Sequence, residues 1–179
     1  MRSRLAVALL ALAPVVGALT IWVGLLLALG SEHPVLVVEG HSMEPTLMPG
    51  DLVFIQAVDI EDIKVGPNGD IIAFYQPGSG SKIIVHRAIG RVVLGGEILI
   101  KTKGDNNEYE DPWIGVSEEE LIGKVVFRIP FLGAVVQFIR SPIGICVVAI
   151  FYGIFLGELL STGKKELKQP TPESPPTGV

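Results

Sequence analysis

The chain has 179 residues, of which 49% are hydrophobic and only 18% charged, well short of the roughly 25% charge of an average soluble domain, which argues against a freely soluble cytosolic protein. Its formal charge of -5, from 14 basic and 19 acidic side chains, supplies no cationic field for a phosphate backbone and excludes nucleic acid as a partner. Cys146 alone closes no intrachain disulfide, and with the scattered His33, His41 and His86 it builds no cysteine-based zinc site.

The first element in chain order is Leu5–Leu29, 25 residues without a charge, broken only by Thr20 and by Pro14, Gly17 and Gly24. At ~1.5 Å per residue such a helix outreaches the ~30 Å hydrocarbon layer. A cleavable leader has an apolar stretch of only about 7–15 residues, so residues 1–30 read as a retained membrane anchor. Runs rich in β-branched and aromatic residues come next: Val35–Val38, Asp51–Val58, Asp70–Tyr75, Lys82–Leu94, Glu97–Thr102 and Gly123–Ile129. Such composition predicts strands. Turn chemistry separates them, notably Gly66-Pro67-Asn68-Gly69, Pro77-Gly78-Ser79-Gly80 and the hairpin pair Gly95-Gly96. The expected fold class is mainly β.

Phe131–Arg140 places Leu132, Val135, Val136 and Ile139 at helical spacing, which fits a helix on the bilayer surface or one packed on the core. Ile143–Leu160 is a second apolar run of 18 residues, at the short edge of a membrane span, and a basic strip with Lys164, Lys165 and Lys168 lies just beyond it. Arg2 and Arg4 before the first run and these lysines after the second place both flanks on the cytoplasmic side. Residues 31–142, with nine basic and sixteen acidic side chains, then form a solvated extracytoplasmic domain. Residues 161–179, ending in a Pro-rich polar stretch, are expected to be a disordered cytoplasmic tail.

Three stretches carry residues suited to chemistry. In Gly40-His41-Ser42-Met43-Glu44-Pro45-Thr46-Leu47, a serine beyond a strand and beside a bend can present a nucleophile next to its own backbone N–H; by pattern alone the turn-capping hydroxyl is the favoured reading. In Ile84-Val85-His86-Arg87-Ala88, period-two alternation puts His86 on the side of Ile84 and Ala88, partly shielded as a general base requires. Taken alone, a structural histidine hydrogen-bonded to a carbonyl is the favoured reading. Lys103-Gly104-Asp105-Asn106-Asn107-Glu108-Tyr109-Glu110-Asp111 offers carboxylates to orient an imidazole. A calcium loop is disfavoured, because Glu110 occupies its turn-glycine position and Val116 that of its bidentate glutamate. His41 faces away from Ser42 on an extended segment, and His33, beside Pro34 at the membrane boundary, is expected to be solvated. Lys82 shares the strand face of His86 and keeps a serine–lysine dyad open.

The anchor and these three motifs, in this order, resemble the type I signal peptidases, in their archaeal and endoplasmic-reticulum branch, over about residues 5–130. The resemblance implies an antiparallel β catalytic domain held against the membrane. It also implies a serine endopeptidase that cleaves N-terminal signal peptides of secretory preproteins through an acyl-enzyme. Ser42 takes the position of the nucleophile, and His86 that of the bacterial branch's general-base lysine. Asp111 matches the proposed triad aspartate and Asp105 a second acidic position that matters for activity; which of them meets His86 stays open. No cofactor or metal is implied. Partners would be signal peptides, membrane lipid and a nearby protein-translocation channel; the location would be the cell membrane, or the endoplasmic-reticulum membrane with a lumenal domain in a eukaryote. Many relatives carry Ser-Gly where this chain has Gly40-His41, so an oxyanion hole here relies on the Ser42 N–H and a donor yet to be found. The alternatives are a self-cleaving serine–lysine peptidase and a non-catalytic membrane scaffold.

Overall fold

The computed structural model describes residues 2–166, with side chains described for 9–158. Helix α1 spans Arg2–Leu29. It stops at Gly30, whose φ of 62° is the left-handed conformation that a glycine cap adopts without strain. The Gly30 N–H returns to the Leu26 carbonyl at 2.9 Å, and the Leu29 carbonyl accepts from the Ala57 N–H at 2.9 Å, so the last turn is tied to the segment around Ala57. Leu9–Leu29 is 21 residues long and apolar enough to cross a membrane by length and composition.

Ile21–Arg140 forms one compact unit and the remainder of the described chain a second. Within the first, six strands form a single antiparallel sheet: β1 (Val35–Val37), β2 (Leu52–Gln56), β3 (Ile71–Tyr75), β4 (Ile83–Leu94), β5 (Glu97–Lys103) and β6 (Leu121–Ile129). Their spatial order is β1-β2-β6-β3-β4-β5, so β6 returns from late in the chain to lie between β2 and β3. Successive side chains of a strand leave opposite faces, and Ile72 and Ala73 of β3 accordingly enter different cores. Ala73 joins Val53, Ile55, Met43 and Leu47; Ile72 joins Phe74, Ile100, Val116 and Ile63. A central strand covered on both faces explains why Ile71–Tyr75 is an unbroken apolar run.

Strand β4 changes partners along its length. Ile83–Arg87 pairs with β3, whereas Arg87–Leu94 pairs with β5. The β4–β5 hairpin closes through Gly95 and Gly96, both at positive φ, as a tight two-residue turn requires. Among the described residues Ile83–His86 therefore has a strand neighbour on one side only.

Helix α2 covers Leu132–Arg140 and touches β1 through its small face: Gly133 is buried, and a Cβ there would meet Val37 Cγ1 at 2.6 Å. Of the four apolar residues at helical spacing, Leu132, Val135 and Ile139 are exposed and Val136 is half-buried, so the helix meets the sheet through Gly133 and turns most of that apolar stripe outward. Helix α3, Pro142–Glu166, lies in the second unit, where the Tyr152 hydroxyl donates to the Ala11 carbonyl at 2.8 Å. The part of α3 whose side chains are described, to Glu158, reaches the length and apolarity of a span only together with α2, across a bend of 82°, so among the described residues Leu9–Leu29 alone meets that length and apolarity as a single helix, and the C-terminal transmembrane helix expected over 143–160 does not. The expected tail is helical through Glu166, and residues 167–179 lie outside the described residues.

Candidate active site

Ser42 stands just beyond β1, in a loop whose apolar residues turn inward. Met43 and Leu47 are almost wholly buried, and the Leu47 N–H donates to the Met43 carbonyl at 2.9 Å. With its next neighbour pinned in the core, Ser42 cannot drift. The Gly104–Asn107 turn holds the loop from the other side: the Asn106 N–H donates to the Ser42 carbonyl at 2.8 Å, and Asn106 Nδ2 to the His41 carbonyl at 3.1 Å. The approach is too close for a side chain, since a Cβ on Gly104 would lie 2.6 Å from the Ser42 carbonyl oxygen.

His86 lies on the half of β4 that pairs with β3, opposite Ile72, and is 7% exposed. Its Nε2 is 2.9 Å from Ser42 Oγ and its Nδ1 2.7 Å from Asp111 Oδ2. An ionised carboxylate only accepts, so Nδ1 carries the proton it donates to Asp111, and Nε2 is the ring nitrogen that faces the Ser42 hydroxyl. Asp111 also accepts from Thr102 Oγ1 at 2.6 Å. Among the described residues no buried side-chain polar atom lacks a partner.

Asp105, the other acidic candidate, goes elsewhere. Arg87 Nε and Nη2 donate to its two carboxylate oxygens at 2.7 and 2.6 Å, and the Thr46 hydroxyl donates at 2.5 Å. The Arg87 hydrogen bonds hold the Asp105 carboxyl below the usual carboxylate range, against the opposing effect of partial burial, and Asp105 in turn raises the Arg87 guanidinium. Arg87 also donates to the Gly69 carbonyl at 2.7 Å. This cluster ties the Ser42 loop, through Thr46, to β4. Sequence reasoning singled out neither Arg87 nor Thr102; the one signal for Arg87 was its place directly after His86, hence on the opposite strand face.

The other candidates separate cleanly. His41 pairs with Glu44 at 2.7 Å and its side chain is 76% exposed. His33, expected to be solvated, is part-buried with Nε2 2.9 Å from the Tyr75 hydroxyl. Lys82 is exposed, whereas a lysine base needs a desolvated amine. It lies on the wall of a groove of about 430 Å³ that runs between Leu36–Gly40 and Lys82–His86, with Ser42 on its floor.

A serine hydrogen-bonded to an imidazole, itself held by a buried carboxylate, is the arrangement that acyl-transfer hydrolases use. The chain matches the Peptidase S24-like family over residues 16–126. It is 36% identical to the signal peptidase complex catalytic subunit sec11 of Sclerotinia sclerotiorum, over 66% of this chain and 70% of that protein. The corresponding subunit of Colletotrichum graminicola is 35% identical over the same shares, and SEC11C of Homo sapiens 35% identical over 66% of this chain and 63% of its own length. The chain belongs to the S24-like peptidases, in the branch that contains the signal peptidase catalytic subunits.

Proposed function

We propose that this chain is a membrane-anchored serine endopeptidase that removes signal peptides from exported proteins, with Ser42 as nucleophile, His86 as general base and Asp111 as the group that orients the imidazole. The observation that carries the reading is the unbroken series Ser42–His86–Asp111, at 2.9 and 2.7 Å, whose first two members line a groove. His86 Nε2 takes the hydroxyl proton as Ser42 Oγ attacks the scissile carbonyl. The imidazolium then gives that proton to the leaving amine, and the acyl-enzyme remains. Water, deprotonated by the same nitrogen, hydrolyses the ester and frees Ser42. Asp111 fixes the tautomer and stabilises the transient imidazolium. The Ser42 N–H supplies one oxyanion donor, and Gly40 brings no hydroxyl to that side.

The groove supports an extended substrate. β1 ends the sheet, and Ile83–His86 has an open side, so a peptide laid between them meets unpaired backbone on both walls. Residues 31–142 form the extracytoplasmic catalytic domain, α1 the anchor, and residues 143–160 a second span, with the apolar side of α2 lying on the bilayer surface. Anchoring brings the site to a bond that arrives at the membrane. As in the relatives' signal peptidase complex, the chain acts beside other membrane subunits and near the translocation channel. The test is incubation of the protein in detergent with a precursor and its signal-less control. The wild type converts only the precursor, and Ser42→Ala inserts into membranes but leaves the precursor intact; processing by Ser42→Ala ends the proposal.

A further inference from the structure

Thr102 lies near the end of β5, opposite Ala88 in the ladder, and is only 1% exposed. A buried hydroxyl there must be accounted for. It grips Asp111 twice: the Asp111 N–H donates to the Thr102 carbonyl at 3.0 Å, and Thr102 Oγ1 lies 2.6 Å from Asp111 Oδ2, the oxygen that also accepts from His86. On its far side, Trp113 Nε1 lies 3.1 Å from Thr102 Oγ1. The indole stacks edge-on against Phe74, with ring centroids 5.8 Å apart and planes at 71°, and Phe74 is fully buried in the core on that face of the sheet.

The chemistry of these groups leaves one arrangement of protons. An indole N–H can only donate, and an ionised carboxylate can only accept. Thr102 Oγ1 therefore accepts from Trp113 and directs its single proton to Asp111. A hydroxyl between two acceptors would have a choice; this one has none.

We infer that Thr102 and Trp113 are positioning residues for the reaction: a one-way hydrogen-bond relay, Trp113 to Thr102 to Asp111, locks the carboxylate whose orientation sets the His86 tautomer. The inference rests on the reading of Ser42, His86 and Asp111 given above. Without the Thr102 hydroxyl, Asp111 keeps its backbone tie but is free to turn about its side-chain bonds, and Nδ1–H loses its fixed acceptor. Thr102 contacts neither the groove nor Ser42 through any hydrogen bond among the described residues, so its loss acts on turnover rather than on substrate binding.

The experiment compares the full chain in detergent as wild type, Ser42→Ala, Thr102→Val, Thr102→Ser and Trp113→Phe. It reads kcat and KM on a precursor peptide and, separately, the downfield proton resonance of the His86 Nδ1–H. Thr102→Val, nearly isosteric, lowers kcat about ten- to a hundredfold, by analogy with the loss of outer-shell hydrogen-bond partners at metal-bound imidazoles, with KM little changed and the resonance moved or broadened. Thr102→Ser restores both. Trp113→Phe keeps the ring against Phe74 and shifts both readouts in the same direction by less. Wild-type kcat and resonance in Thr102→Val overturn the relay. So does equal impairment in Thr102→Ser, which keeps the hydroxyl and assigns the effect to how the side chain fills its buried place. If Thr102→Val does not fold, the resonance in Trp113→Phe decides: displaced, it supports the relay; unmoved, it overturns it. Processing by Ser42→Ala would instead overturn the nucleophile assignment, and the resonance, which needs no turnover, still judges the relay.

Discussion

His86 and Arg87 are neighbours on β4 and point to opposite faces of the strand. Asp111 meets the first and Asp105 the second, at 2.7 Å in each case. The two aspartates therefore fail differently. Asp111→Asn presents an amide that can donate to Nδ1, which favours the wrong tautomer, and turnover on a precursor peptide is expected to fall by about 10⁴, as when the corresponding acid of other triads is made an amide. Asp105→Asn leaves the His86–Asp111 contact in place but removes the carboxylate from Arg87, so its effect is on stability and on the set of the Ser42 loop. The pH dependence has a definite sign. Because the folded-state value of Asp105 is depressed, its stabilisation is fully present above the unfolded value of about 3.9 and is lost as pH falls through the lower folded value. Denaturant unfolding of wild type and Asp105→Asn should show a constant gap from neutrality down to about pH 4 that narrows below it; a gap that widens on acidification would contradict the ion pair. All three motifs were legible in the sequence, yet the choice between the aspartates was not, since both lie in one polar turn whose spacing says nothing about which strand face each carboxylate reaches. Strand parity at Arg87 held the missing clue.

At the scale of elements, composition located the strands to within a few residues: the runs Lys82–Leu94 and Glu97–Thr102 became Ile83–Leu94 and Glu97–Lys103. A pleated, half-buried backbone selects β-branched side chains locally, which is why local pattern sufficed. Pairing order is not local. β6 lies between β2 and β3 because a late segment finds two open edges, and no periodicity within Leu121–Ile129 encodes that. The same distance separates the two halves of the site, and one glycine brings them together. Gly104 lets the Asn106 N–H reach the Ser42 carbonyl, and a Cβ there would meet that oxygen at 2.6 Å. Gly104→Ala must push the Ser42 loop or the turn aside. A misplacement of about 1 Å at a reacting group can cost on the order of 10² in rate, and overpacking typically costs about 1–3 kcal/mol. The expected result is a precursor-cleavage kcat about a hundredfold down, on the scale of that misplacement, in a protein that still unfolds cooperatively. Undiminished kcat would mean that the clamp on Ser42 carries no catalytic weight.

For the whole molecule the question is which surfaces meet water and which meet lipid. Leu9–Leu29 is exposed along most of its length, and so are Leu132, Val135, Phe138 and Ile139 of α2 and much of the described part of α3. Apolar surface on this scale is costly in water, and a bilayer removes the cost. The first span was plain in the sequence because a charge-free run of 25 residues has no other comfortable environment. A second crossing is not plain in the same way, because 18 residues at Ile143–Leu160 are a marginal length and Glu158 lies near their end. The proposed second crossing rests on flanking charge, since Lys164, Lys165 and Lys168 after that run match Arg2 and Arg4 before the first. If both runs cross, the β4–β5 hairpin tip and the C-terminal end of α3 face opposite compartments. Cys146, exposed on α3, is first removed as Cys146→Ala, so that single thiols introduced by Glu97→Cys and, separately, Lys165→Cys report alone. In sealed right-side-out vesicles a membrane-impermeant maleimide is expected to label Glu97→Cys at once and Lys165→Cys only after permeabilisation. Labelling of both from outside would leave α1 as the single span and place α3 on the same side as the catalytic domain, since a helix that crosses must carry its basic flank to the other face.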